Sequence, residues 1–130
     1  MDKFRVLIVD DDDDFRETLA IRLEARKLRV MGAESGDKAL ELLDRHDFDV
    51  VLLDIRMPGL DGIETLREMK KKRPLLEIIL FTGHASVESG VQGMQLGAFD
   101  YVMKPASLEE LLDKMHQAYE KKRRQEKLAT

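Results

Sequence analysis

Five polar residues each stand at or directly after the end of a short apolar run, and together they could perform phosphoryl chemistry. They are three acids, a hydroxyl and an amine: Asp10, Asp11, Asp54, Thr82 and Lys104. Clustered carboxylates repel one another, and a hard divalent cation such as Mg²⁺ relieves that repulsion. An ammonium and a hydroxyl can hold phosphoryl oxygens while one carboxylate acts as the nucleophile. The residue types therefore predict Mg²⁺-dependent phosphoryl transfer onto an aspartate.

Parallel strands would bring these side chains to one edge of a sheet. Five apolar runs are predicted strands: Arg5–Val9, Arg29–Ala33, Asp49–Leu53, Glu77–Thr82 and Phe99–Met103. Three of them are nearly continuous in Val, Ile and Leu, which is typical of strands buried on both faces of a parallel sheet. Strand and helix patterns alternate roughly every 25 residues, which indicates βαβ units, and the chain is too short for an eight-stranded barrel. We expect an α/β fold, a flavodoxin-like doubly wound sheet with five helices, and adopt for it the order 2-1-3-4-5 known for such sheets.

The segments between the strands contain helix signals. Four residues have the side chain and spacing of helix caps: Asp14, Ser35, Asp61 and Ser107. The fourth helix, Ser86–Leu96, contains Gly90 and Gly93, each of which costs about 1 kcal/mol in a helix interior. This helix is a candidate moving part beside the predicted site.

Composition narrows the function classes. The chain has 130 residues, which fits one domain, and no cysteine, which excludes disulfides, cysteine-bound metals and a thiol nucleophile. Its formal net charge is −4, with acids concentrated at Asp10–Asp14 and cations at Glu120–Lys127, so direct nucleic-acid binding is not expected. No apolar run approaches the ~18–20 residues of a membrane span, and the start is not typical of a signal peptide, so we expect a cytoplasmic protein.

Four fragments of the chain resemble the response-regulator receiver domain of two-component signalling. They are Val9–Asp11, Leu52–Gly62, Phe81–Gly83 and Lys104-Pro105, in order and each at the end of a predicted strand. The likeness covers about residues 4–120. We therefore expect a receiver domain over residues 1–120, followed at 121–130 by a charged helical tail or the start of a linker.

The resemblance implies a role for each site residue. Asp54 is the phosphoacceptor, and Thr82 and Lys104 contact the phosphoryl group. The implied ligands of Mg²⁺ (or Mn²⁺) are Asp10, Asp11, Asp54 and the backbone carbonyl of Arg56.

The same resemblance implies the moving parts. Thr82 is expected to move toward the phosphoryl group while the ring of Tyr101 turns inward, and the Lys104-Pro105 bond is expected to be cis. Arg56 and His84 each lie two residues after a site residue, and we expect their side chains to screen water and prolong the phosphorylated state.

The expected protein is a signalling switch and not an enzyme, apart from catalysing its own phosphorylation and slow dephosphorylation. A sensor histidine kinase or a phosphotransfer protein would be the donor. The output would pass through the face of the fourth helix, fifth strand and fifth helix, to a protein partner, a homodimer or an output domain absent from this chain.

Two other classes are alternatives. A Mg²⁺-dependent phosphohydrolase that uses an aspartyl-phosphate would need a second acid where this chain has Arg56. A flavin-binding module would need a neutral phosphate loop where this chain has five consecutive aspartates.

Overall fold

A computed structural model describes residues 3–56, 61–83 and 87–129 of the chain. Within these ranges five strands alternate with five helices. The strands are β1 Arg5–Val9, β2 Arg29–Ala33, β3 Val50–Leu53, β4 Glu77–Thr82 and β5 Asp100–Met103. The helices are α1 Asp13–Ala25, α2 Gly36–Arg45, α3 Gly62–Lys72, α4 Val87–Gln95 and α5 Leu108–Ala129.

All strand pairs are parallel, and the sheet order is β2-β1-β3-β4-β5. This confirms the predicted fold class and strand order. Three strands match the predicted bounds residue for residue, while β3 and β5 each begin one residue later than predicted, after Asp49 and Phe99.

Side chains alternate between the two faces of the sheet and build two cores. On one face, residues such as Ile8, Leu52 and Phe81 pack with α1 and α5. On the other face, residues such as Val9 and Leu80 pack with α2 and α3. β1, β3 and β4 are therefore covered on both faces, which explains their nearly continuous apolar sequences, whereas the edge strands β2 and β5 are more exposed.

Three of the four predicted helix caps are confirmed, and one is wrong. Ser35 and Asp61 accept backbone N–H groups at the starts of α2 and α3, and Ser107 does so for α5. The cap of α1 is Asp12, whose carboxylate accepts the N–H of Phe15 at 3.1 Å, and not Asp14. Asp14 instead lies in the first helical turn, where its negative charge interacts favourably with the helix dipole.

The last helix is held to the amino edge of the sheet, far from the predicted site. The Nζ atom of Lys122 lies 3.1 Å from Asp49, at the start of β3, and that of Lys121 lies 3.0 Å from the fully buried Glu77, at the start of β4. α5 runs unbroken through the predicted tail to Ala129. No helix in the described part of the chain is long and apolar enough to cross a membrane.

Candidate functional site: the carboxyl edge of the sheet

The acidic residues of the site begin at the central strands. Asp10 follows β1 and donates its N–H to the carbonyl of Ala33 at 3.1 Å, which ties it to β2. Asp54 follows β3 and donates its N–H to the carbonyl of Val9 at 3.0 Å. The backbone of the sheet thus sets both aspartates side by side, at the point where the strand order reverses.

Three carboxylates converge at this point. One oxygen from each of Asp10, Asp11 and Asp54 lies within 4.8 Å of the other two. Asp10 and Asp54 are buried, whereas Asp11 is exposed. Carboxylate oxygens are the ligands that Mg²⁺ prefers, and the exposed side of the cluster leaves room for water ligands and a phosphate. The donor set therefore fits a magnesium ion.

Lys104 provides the positive charge of the site. It follows β5, and its N–H donates to the carbonyl of Thr82 at 2.9 Å. Its Nζ atom lies 2.5 Å from Asp10 Oδ2, 3.6 Å from Asp54 Oδ2 and 4.0 Å from the centre of the Phe15 ring. The bond from Lys104 to Pro105 is cis, as expected. Three carboxylates against one ammonium leave two negative charges, which matches a divalent cation.

Hydrogen bonds from two backbone N–H groups hold Asp54 and the residue that follows it. Asp54 Oδ1 accepts the N–H of Arg56 at 3.0 Å, and the carbonyl of Ile55 accepts the N–H of Gly62 at 2.9 Å. A Cβ atom on Gly62 would lie 2.3 Å from Ile55 Cα and 2.6 Å from the Asp54 carbonyl oxygen. In the sequence Gly62 is only part of a motif, but in the structure this close approach makes it a residue that positions Asp54.

Thr82 and Tyr101 occupy neighbouring strands but different environments. Thr82 ends β4, is fully buried and pairs with Met103 of β5. Tyr101 is half-buried on β5, and a Cβ atom on Gly90 of α4 would approach its ring to 3.1 Å. Tyr101 therefore packs under α4, away from the carboxylate cluster. The missing side chain of Gly90 makes room for this ring, which the sequence did not reveal.

One of the two residues expected to screen water lies within the described part of the chain. Arg56 is exposed directly beside the site, and its backbone N–H contacts Asp54. His84 lies outside the described residues, so its predicted role stays a sequence prediction.

The chain matches a known family over most of its length. The family model of the response regulator receiver domain covers residues 6–116. The chain belongs to this family. The receiver fold is supported by a CheY-like receiver domain protein from Methanospirillum hungatei, with a TM-score of 0.91 and 31% identity, covering 95% of this chain and 99% of that one.

Two further proteins are similar to this chain: one is a longer regulatory protein, and the other is a response regulator solved with a bound ligand. Regulatory protein AtoC from Escherichia coli is 44% identical over 107 residues, which are 82% of this chain and 23% of AtoC. TrrA from Thermotoga maritima, solved in complex with Mg²⁺-BeF, has a TM-score of 0.80 and 34% identity, covering 88% of this chain and 98% of that one. The chain thus spans about a quarter of the curated relatives that it matches first. These matches give no support to the phosphohydrolase alternative.

Proposed function

We propose that Asp54 of this receiver domain accepts a phosphoryl group from a phosphohistidine of a sensor histidine kinase or a phosphotransfer protein. The observation that carries the proposal is the convergence of Asp54 with Asp10, Asp11 and Lys104 at one edge of the sheet. An oxygen of Asp54 forms the new P–O bond as the P–N bond of the donor breaks, and the electron pair of that bond leaves with the imidazole.

Each neighbouring residue has a defined task in this reaction. Asp10, Asp11 and Asp54, with the backbone carbonyl of Arg56, would hold Mg²⁺ or Mn²⁺, which would supply positive charge to the transferred group. Lys104 already lies 3.6 Å from Asp54, so a short movement away from Asp10 brings its ammonium to a phosphoryl oxygen.

The phosphoryl group changes the surface through Thr82 and Tyr101. Thr82 moves toward the phosphoryl group and donates its hydroxyl to a phosphoryl oxygen, and the Tyr101 ring turns inward. Because the phosphoryl group contacts only one of the two arrangements, it shifts the population toward it. The face of α4, β5 and α5 is suited to a protein partner or a homodimer, since Val91, Met94 and Met103 are exposed there.

We further propose that residues 1–120 form the receiver, that residues 121–130 begin a tail or linker, and that the domain works within a longer regulator. The small share of AtoC that the chain matches supports this arrangement. The output domain, and not this receiver, would carry any contact with nucleic acid. The receiver domain's own chemistry would be confined to phosphorylation and slow dephosphorylation of Asp54.

Intact mass spectrometry after incubation with a small phosphodonor and Mg²⁺ tests the phosphoacceptor. We expect one phosphoryl adduct on the wild type, none on Asp54→Asn, and none when a chelator is added. Asp44→Asn, which changes an exposed carboxylate on α2, is the matched control and should keep the adduct. Absence of an adduct on the wild type with either Mg²⁺ or Mn²⁺, or its persistence in Asp54→Asn, would overturn the proposal.

A further inference from the structure

Arg16 reaches from α1 to the backbone of the carboxylate cluster. Its Nη1 atom donates to the carbonyl oxygen of Asp10 at 2.8 Å, and its Nη2 atom lies 2.6 Å from Asp13 Oδ1. The side chain is only 14% exposed, although it lies next to a run of exposed acids. A guanidinium with two fixed contacts holds the Asp10 peptide in one orientation.

Gly32 provides the surface on which Arg16 lies. Gly32 pairs with Ile8 on the neighbouring strand, on the sheet face that α1 covers. A Cβ atom at Gly32 would lie 3.0 Å from Arg16 Cδ and 3.2 Å from its Nε. In the sequence, Gly32 only interrupts a predicted strand. In the structure, its missing side chain leaves the path that Arg16 takes across β2 to Asp10.

We propose that Arg16 is a positioning residue for the divalent-cation site, and that Gly32 is required for it to act. The inference rests on the proposed function, because it concerns the metal that the carboxylates would hold. Arg16 does not touch the cation. It fixes the peptide from which the Asp10 and Asp11 side chains diverge, so that their oxygens stand close together before the cation binds.

Positioning and simple charge predict opposite effects on cation affinity. If Arg16 acted only through its positive charge, its removal would strengthen the binding of a divalent cation nearby. If it positions Asp10, its removal lets the mutually repelling carboxylates separate, and binding must bring them back together. Loss of residues that orient metal ligands typically weakens binding about 10- to 100-fold.

Mn²⁺ titration followed by electron paramagnetic resonance, which reports the free ion, separates these effects. We expect Arg16→Lys and Arg16→Gln each to raise the Mn²⁺ dissociation constant about tenfold, because a lysine ammonium cannot reproduce the two fixed contacts. Tighter binding in Arg16→Gln with unchanged binding in Arg16→Lys would show a charge effect and overturn the inference.

Gly32→Val tests the same device without altering Arg16. Valine suits a strand, so the fold is retained, but its side chain displaces Arg16. We expect a similar loss of Mn²⁺ affinity, and no further loss when Gly32→Val is combined with Arg16→Lys, because both changes break one contact path. Met31→Val, at an exposed position of the same strand on the opposite face, is the matched control and should bind as the wild type does.

Two failures are distinguishable in this titration. If the wild type binds no Mn²⁺, both the proposed metal site and this inference fall. If the wild type binds Mn²⁺ and the Arg16 and Gly32 variants bind it equally well, only this inference falls. Thermal unfolding without metal identifies variants whose fold is lost. If an Arg16 variant loses its fold, the comparison of Gly32→Val with its control Met31→Val still decides the inference.

Discussion

Replacing Gly62 by alanine adds one methyl group where the backbone leaves no space for it. The new Cβ atom would lie 2.3 Å from Ile55 Cα, 2.6 Å from the Asp54 carbonyl oxygen and 2.7 Å from the Ile55 carbonyl oxygen. No side-chain rotation relieves these contacts, since all three atoms belong to the backbone. The backbone at residue 62 must therefore move away from Ile55, and the 2.9 Å hydrogen bond from Gly62 N–H to the Ile55 carbonyl oxygen must lengthen or break.

One gain and two costs set the size of the effect on the free energy of unfolding. Alanine is favoured over glycine in a helix by up to about 1 kcal/mol, but Gly62 is the first residue of α3, where this gain is smallest. Overpacking of a tightly packed site costs about 1–3 kcal/mol, and the lost hydrogen bond costs about 1 kcal/mol more. We expect the free energy of unfolding to fall by about 2 kcal/mol in Gly62→Ala.

Urea denaturation without metal measures this loss. With a urea dependence of about 2 kcal/mol per molar, the unfolding midpoint should fall by about 1 M. Gly83→Ala is the matched control, because its Cβ atom would meet Lys104 Cβ at an ordinary 3.7 Å. A Gly62→Ala variant as stable as the wild type would refute the close approach of α3 to the Asp54 loop. The variant should also accept phosphate more slowly, since the carbonyl of Asp54 is displaced.

Four further outcomes are expected. Lys27 follows α1 and has a φ of 72°, a conformation that glycine adopts more easily than lysine. Lys27→Gly should therefore raise the free energy of unfolding, measured in urea, by about 0.5–1 kcal/mol. An equal or lower stability contradicts strain at this position. Mg²⁺ at 100 times its dissociation constant should stabilise the wild type by about 2.7 kcal/mol in thermal unfolding, and Asp11→Asn should lose most of this gain. Burial alone lowers the pKa of Lys122, but hydrogen bonds to its two acidic partners outweigh burial and raise this pKa above its usual 10.5. The stability that Lys122 contributes is therefore complete below pH 10.5 and is lost as the pH rises through the raised pKa. The free energy of unfolding in urea should fall less steeply at alkaline pH in Lys122→Met than in the wild type. Parallel falls in the two proteins would argue against this contribution. Alanine at both Arg56 and His84 should speed the loss of the phosphoryl group, measured by intact mass over time, and an unchanged rate would remove their screening role.

The fold was predictable because its strongest signals are local and repeated. β1 and β4 were predicted residue for residue, since continuous Val, Ile and Leu runs bounded by polar residues leave little choice, and β2 also matches its predicted bounds although Gly32 interrupts its apolar run. The predicted cap of α1 was wrong because five consecutive aspartates offer several candidates. Asp12 is the cap because it is the residue with extended backbone directly before the helix.

The convergence of Asp10, Asp54 and Lys104 was predictable from the sequence, but the contacts that hold these residues were not. Asp10, Asp54 and Lys104 follow directly from the ends of parallel strands. Arg16 and Gly62 act through contacts with main-chain atoms about six to eight residues earlier in the chain, and neither helix nor strand periodicity predicts contacts at that spacing. Gly90 and Gly32 are further examples. The sequence shows that each lowers the helix or strand propensity, but not that the Tyr101 ring or the Arg16 side chain occupies the space beside it.

The ion pairs of Lys121 and Lys122 hold α5 at the amino edge of the sheet, so a rigid tilt of the helix about them would move its two ends by unequal distances. From its first residue to this pair the helix is about 20 Å long, and from the pair to Ala129 about 10 Å, at 1.5 Å per residue. The longer arm starts a few residues after Lys104, and the shorter arm extends past the sheet. A tilt of about 5° about this pivot moves the first turn by about 2 Å and the last turn by about 1 Å in the opposite direction. A displacement of the first turn of α5 by such a tilt would therefore reach the opposite end of the domain halved in size and reversed in direction.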